Sequence, residues 1–384
     1  MYTFLLELIN KPVGGLCLLI APTIICGYFA NKYVKIIPWA IFCLIIGVTL
    51  SEVEIIEQVQ VSHVVTEDIL ALSSWAIAIA MMQIGLEATD FSYIGNFRFW
   101  LVLALIVIIP GSFAYLILDL SGLELAGVIT LSYTTSLAVV AVIVNEKPEL
   151  FEYSLIKKVM IVGIGLDVIL WIWIGVLTVI KEKNGGEFSF YDILPQLSVI
   201  AGAILVVATG VKYWWEKVEN SNIDPIIWLL ISCIVGVIFY SVNLNPLLGT
   251  IFGGMIVPSK NKHKVSDTLD PFFKFSMLIY MSTVGYKLHH SFTMEAVYYA
   301  LVIILTSNVG KYIALRLSGF IYKKDINHGT GFLGNLGTMG IAAAAVMAHL
   351  HIIDEVFLMA AVIAAIIDTL CFGIFLKKNP IVMG

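Results

Sequence analysis

Long apolar runs, each closed by charge, proline or glycine, recur along the whole chain. Thirteen of them read as membrane-spanning helices, near residues 12–31, 36–50, 68–89, 98–119, 122–145, 157–181, 191–212, 225–242, 245–258, 269–288, 293–319, 329–350 and 353–377. The second and ninth runs are short, so each extends into its flanks or is partly re-entrant. Strands of a membrane barrel would alternate polar and apolar residues over about ten positions. Stretches such as 201–208 are apolar on every side instead. The pattern predicts an all-α polytopic membrane protein, a single transmembrane domain over 1–384 with no soluble regulatory domain.

Composition supports the same picture. Hydrophobic residues make up 60% of the chain and charged ones 13%, against about 25% charged in ordinary soluble domains. The 22 Lys and Arg are scattered between apolar runs, with no basic stripe to bind nucleic acid. Seventeen of them fall after odd-numbered spans or at the C-terminus, four fall on the opposite side, and Lys311 lies inside a span. Basic residues are held on the cytoplasmic side, so the N-terminus is expected outside and the C-terminus inside. The acidic stretch 52–68, with no Lys or Arg, falls outside on this reading. The first apolar run lacks the basic start and small-residue cleavage site of a signal peptide. Cys17, Cys26, Cys43, Cys233 and Cys371 all lie in apolar runs without metal-ligand spacing and are expected to be buried.

The chain has no phosphate-binding loop, dinucleotide fingerprint or His-Glu-x-x-His sequence. His349 and His351 are two apart and fall on different helix faces, and His289 and His290 belong to a loop. No enzymatic activity and no cofactor are expected.

The two halves resemble each other. Leu118-Asp119-Leu120-Ser121-Gly122 ends the fourth span, and Leu315-Arg316-Leu317-Ser318-Gly319 ends the eleventh. The next spans carry interruptions followed by small residues: Thr134-Thr135-Ser136-Leu137-Ala138, and Gly337-Thr338-Met339-Gly340-Ile341-Ala342. An aspartate in an apolar setting follows each, Asp167 and Asp368. Counted as spans 1 to 6 and 8 to 13, matching helices run in opposite directions. The pattern predicts an inverted repeat, about 12–181 and 225–377, with an interrupted helix in each half; the alternative is chance similarity among residue types common in membranes.

Ionisable groups inside a bilayer cost about 2.5–3.5 kcal/mol on insertion scales, so each needs a reason to be there. Asp167 lies nine residues beyond Lys158, about 13 Å along a helix and near the middle of a core ~30 Å thick. Asp368 stands at similar depth before Lys377, and Lys311 lies about 18 Å from Lys323. Asp167 is either an ion and proton site or the structural partner of a neighbouring helix. A carboxylate that holds H⁺ or a monovalent cation, but not both, couples their movements. Thr134, Thr135 and Ser136, with the freed carbonyls of an unwound helix, would supply oxygen ligands; alternatively their hydroxyls bond back to their own helix. Lys311 and Asp368 are expected to balance charge, although Asp368 also suits a second titrating site or an interhelical contact. Gly334, Gly337, Thr338 and Gly340 mark the second crossover, or simply permit close helix packing.

With these residues placed, the sequence resembles the monovalent cation:proton antiporter-2 family, which includes bacterial sodium/proton antiporters and Kef-type potassium efflux proteins. Gln83-Ile84-Gly85-Leu86-Glu87 is similar to its third-helix motif. The run from Leu131 to Val140 is similar to its unwound crossover helix, and the run from Asn243 to Gly254 to its ninth-helix pattern. Ser282-Thr283-Val284-Gly285 and Gly310-Lys311 also fit. The resemblance implies a sodium/proton antiporter fold, with scaffold and dimer helices over about 12–89 and 191–288 and mobile core helices over about 98–181 and 293–377. It also implies a homodimer in a bacterial inner membrane. In that family a polar or acidic residue precedes the ion-binding aspartate; here Leu166 precedes Asp167.

The reading is a secondary transporter exchanging Na⁺ or K⁺ for H⁺ by alternating access. One exchangeable carboxylate argues for electroneutral exchange, and any regulatory domain would be a separate soluble subunit. Two alternatives stay open at this point. One is a channel-like or signalling effector that keeps the fold without coupling; the other is a sodium-coupled organic-anion symporter.

Overall fold

The computed structural model describes residues 96–118, 120–135, 154–182, 224–241, 246–287, 293–334 and 336–378. It also describes short pieces at 21–22, 24–25, 43, 45–49, 78–79, 82, 85–86, 194, 198–199 and 202–203. Within them the backbone is helical: α1 Phe97–Ile117, α2 Gly122–Tyr133, α3 Ser154–Glu182, α4 Pro225–Tyr240, α5 Pro246–Ile256, α6 Ser259–Lys287, α7 Met294–Ser318, α8 Ile326–Gly334, α9 Gly337–His349 and α10 Glu355–Lys378. The spans expected at 12–31, 36–50, 68–89 and 191–212, and the part of 122–145 beyond Thr135, lie wholly or largely outside the described residues. Among the described residues, Phe97–Ile117, Ser154–Lys181, Met294–Ser318 and Glu355–Phe372 are long and apolar enough to cross a membrane.

The chain divides into two compact units. The first comprises residues 1–26, 43–89 and 174–287, and the second 27–42, 90–173 and 288–384.

In the first unit, α4 starts at Asp224, whose carboxylate accepts the Ile226 N–H at 2.9 Å, with Pro225 in the first turn where no N–H is needed. Glycines then bring helices together. A Cβ at Gly253 would lie 2.5 Å from Ser232 Cα, and one at Gly249 2.7 Å from Gly236 Cα. Ser232 Oγ donates to the Thr250 carbonyl at 3.0 Å across the same seam. Gly254 meets Gly85 and the Met82 carbonyl just as closely. Met82, Leu86, Trp228, Val257, Val265 and Leu269 form the buried cluster beside this seam. One expectation is corrected: α6 begins at Ser259 rather than near 269, so the Lys-rich stretch is helix, not loop. Its buried positions, Lys262, Val265 and Leu269, recur at helical spacing, and that one-sided burial pays for the extra turns.

In the second unit, α1 and α7 cross where Pro110 faces Gly310; a Cβ there would lie 2.8 Å from the Pro110 nitrogen. Thr293 caps α7 by accepting the Ala296 N–H at 3.1 Å, and Gly319 ends it in the left-handed conformation at φ 59°. Asp354 caps α10 through the Phe357 N–H at 2.9 Å. Phe372 of α10 fills the space left by Gly331 of α8 and meets Phe332 edge-on at 4.9 Å. The cysteines also depart from expectation: Cys43 is buried, but Cys371 is exposed because its face of α10 opens on a cleft. Cys17 and Cys26 lie outside the described residues.

Candidate functional site

The site lies in the second unit, where two helices stop inside the fold. α2 ends at Tyr133, and Thr134 turns extended at φ −58°, ψ 152°. The Thr134 hydroxyl donates to the Leu131 carbonyl at 2.7 Å, the local back-bonding a threonine offers at a helix end. α8 ends at Gly334, and α9 restarts at Gly337 with φ 44°, a left-handed turn that glycine adopts without strain. Gly334 and Gly340 make space instead. A Cβ on Gly334 would lie 2.2 Å from Asn308 Oδ1, and one on Gly340 2.3 Å from Leu336 Cγ.

Interrupted helices expose carbonyls that carry partial negative charge. Lys311 answers both breaks. Fully buried in α7, its ammonium donates to the Thr134 carbonyl and, at 2.7 Å, to the Leu333 carbonyl. The turn of α7 before it is polar: Thr306 Oγ1 lies 3.3 Å from Ser132 Oγ, Ser307 Oγ donates to the Gly334 carbonyl at 3.4 Å, and Asn308 Nδ2 donates to the Ile304 carbonyl at 3.0 Å.

Two carboxylates complete the group. Asp167 of α3 is 1% exposed and follows Leu166, which is wholly buried. Asp368 of α10 is 7% exposed, and its Oδ1 accepts a second hydrogen bond from Asn308 Nδ2 at 3.0 Å. Both carboxylates lie within electrostatic reach of the Lys311 ammonium. Two oxygens here are buried without a hydrogen-bond partner of ordinary geometry among the described residues: Thr135 Oγ1 and Asp368 Oδ2.

The fold thus brings Thr134 and Leu333 onto Lys311, Gly334 onto Ser307 and Asp368 onto Asn308, all along one stretch of α7, with Asp167 within electrostatic reach of Lys311. Thr135 is buried at the break. Ser136 and the Thr338 side chain lie outside what the structure describes. Sequence reasoning passed over Asn308, the link between Gly334 and Asp368. Its signal was available as Thr306-Ser307-Asn308, three polar residues in an apolar span immediately before Gly310-Lys311.

The family model described as sodium/hydrogen exchanger, transmembrane, matches residues 18–378. Among curated proteins, none matches by sequence. Among solved structures, the sodium proton antiporter MjNhaP1 from Methanocaldococcus jannaschii, determined at pH 8, superposes with a TM-score of 0.66 at 13% identity, covering 96% of this chain and 98% of that one. That likeness is one of fold.

Proposed function

This chain belongs to the sodium/hydrogen exchanger family of membrane proteins, and on that premise we propose that Asp167 is the carboxylate at which a monovalent cation and a proton replace each other. The observation that carries the reading is the placement of Asp167, buried in mid-helix in the unit that holds both helix breaks. A carboxylate there is neutral when it holds either H⁺ or one monovalent cation, and neutrality is what lets it cross a low-dielectric path. Thr134, Thr135 and Ser136 complete the cation's oxygen shell, with Thr135 bringing a buried hydroxyl that has no hydrogen-bond partner among the described residues. Lys311 offsets the helix ends at Thr134 and Leu333, and Asp368 balances Lys311. Gly334, Gly337, Thr338 and Gly340 shape the second break.

Leu166 supplies no second exchangeable proton, so one proton leaves for each cation that binds and exchange is electroneutral. The moving core is formed by helices over about 98–181 and 293–377, which hold both breaks; helices over about 12–89 and 191–288 form the scaffold and the homodimer contact. The protein sits in a bacterial inner membrane with its C-terminus in the cytoplasm. It moves ions without covalent chemistry.

The test is cation-driven proton movement in proteoliposomes holding a pH dye, with Na⁺, K⁺ and Li⁺ pulses. Wild type responds to at least one cation and Asp167→Asn to none. A response retained by Asp167→Asn would remove that residue from the exchange step.

A further inference from the structure

A cleft opens between α7, α8 and α10, lined by Asn308, Tyr312, Asn327, Thr330, Asp368 and Cys371 among others. All these residues belong to the second unit. Among the described residues that line it there is no Lys, Arg or His, although His328 packs on the lining Phe375 at 5.4 Å. We propose that this cleft is a second cation-binding site, separate from Asp167, in which Asp368 supplies the charge and Asn327 and Thr330 supply neutral oxygens to a monovalent cation.

Three observations carry the assignment. Asp368 is 7% exposed, yet it lines the cleft, and its Oδ2 has no hydrogen-bond partner of ordinary geometry among the described residues, although the Leu336 backbone N–H also lies near the carboxylate. Its other oxygen is fixed by Asn308, whose amide nitrogen spends both hydrogens, on Asp368 and on the Ile304 carbonyl; Asn308 is therefore a positioning residue that aims Oδ2. Thr330 spends its own hydrogen on the Ile326 carbonyl at 2.8 Å, so towards any ligand its hydroxyl is an acceptor only. An acceptor-only hydroxyl beside a buried carboxylate suits a hard cation and repels an anion.

Lys311 does not already fill this role. Its two hydrogen bonds go to the Thr134 and Leu333 carbonyls, and only its field reaches Asp368. That field opposes a second cation, so the site fills at high salt rather than at trace levels. The way in follows from the sequence positions of the lining. Asn327 comes three residues after Lys324 and Phe375 two before Lys377, so the cleft runs from the lysine-rich end of the unit towards Asp368. Cys371, exposed and one turn beyond Asp368 on α10, stands in that passage.

Cys371 also makes the site measurable. In full-length protein in lipid nanodiscs, with the other four cysteines replaced by serine, the rate at which a small maleimide alkylates Cys371 is compared in NaCl, KCl, LiCl and choline chloride at equal ionic strength. At least one alkali cation is expected to slow labelling several-fold relative to choline. The protection persists in Asp167→Asn and disappears in Asp368→Asn. No protection by any of the three cations overturns the proposal, as does protection that survives Asp368→Asn. Loss of protection in Asp167→Asn would mean that Cys371 reports the exchange site, and it overturns the proposal too. Should Asp368→Asn fail to fold, Thr330→Val must weaken the protection, and unchanged protection counts against the site. The dye assay reads Asp167 and the labelling assay does not, so either reading can fail alone.

Discussion

Gly334 and Asn308 fit together as hole and plug: the side chain that Gly334 lacks would sit 2.2 Å from Asn308 Oδ1. Asn308 in turn holds Asp368 at 3.0 Å, so a missing methyl on α8 sets the position of a carboxylate on α10.

Gly334→Ala should therefore act through Asn308. Overpacking of this kind costs about 1–3 kcal/mol, and the exchange rate should fall with it. In an Asn308→Ala background the plug is already gone, and the added cost of Gly334→Ala should shrink by more than half. Thermal unfolding of the four proteins of this cycle measures the coupling; additive losses would show that the contact does not transmit the effect.

Lys311→Met should be more damaging. It keeps the length of the side chain but leaves the Thr134 and Leu333 carbonyls without their donor. A buried polar group left unsatisfied costs about 1–3 kcal/mol, and two are affected here. The purified protein should unfold several degrees earlier and show no cation-driven proton movement. Unchanged stability would mean that water or another donor replaces the ammonium.

Leu166→Asp tests the stoichiometry. Wild-type exchange should be indifferent to an imposed membrane potential, because one proton replaces one monovalent cation. A second ionisable group beside Asp167 adds a charge to the cycle, so exchange by the variant should speed up or slow down with the sign of the potential. A wild-type rate that already follows the potential would rule out electroneutral exchange.

Lys262 offers a prediction outside the membrane spans. Burial pushes its ammonium down from 10.5 to about 8, so the folded state binds this proton less tightly than the unfolded chain. Between those two values the unfolded chain carries more protons, and stability rises with pH. Below pH 8 the charged side chain burdens the fold in full. Lys262→Met should therefore melt a few degrees higher than wild type at pH 7, and the gap should close as pH passes 10.5. A gap independent of pH would assign the gain to packing.

Much of this was legible in the apolar periodicity. The runs expected at 98–119, 225–242, 293–319 and 353–377 correspond to α1, α4, α7 and α10 within a few residues, because lipid forces every backbone group to bond within its own helix. The interruption around Gly334 to Gly340 was legible as well, since glycines cluster there. Two things were not. The early start of α6 rests on a buried lysine, which charge-based span finding reads as the end of a helix. The partners of Lys311 are backbone carbonyls, which exist at every residue and leave no mark in a sequence; only the fold shows that Thr134 and Leu333 are the two in reach. Asn308 was visible but unweighted, because an amide carries no formal charge.

The Gly85–Gly254 contact has a mechanical consequence. There two backbones touch with no side chain between them, so nothing at that point can change rotamer, and the joint has one geometry. Such a seam behaves as a stiff strut, deforming only if whole helices bend. The helix breaks of the second unit are spanned instead by Lys311 and Asn308, long side chains with several rotatable bonds that can lengthen or shorten their reach. Stiffness and compliance are thus written in the same chain as the absence of side chains in one place and their length in another.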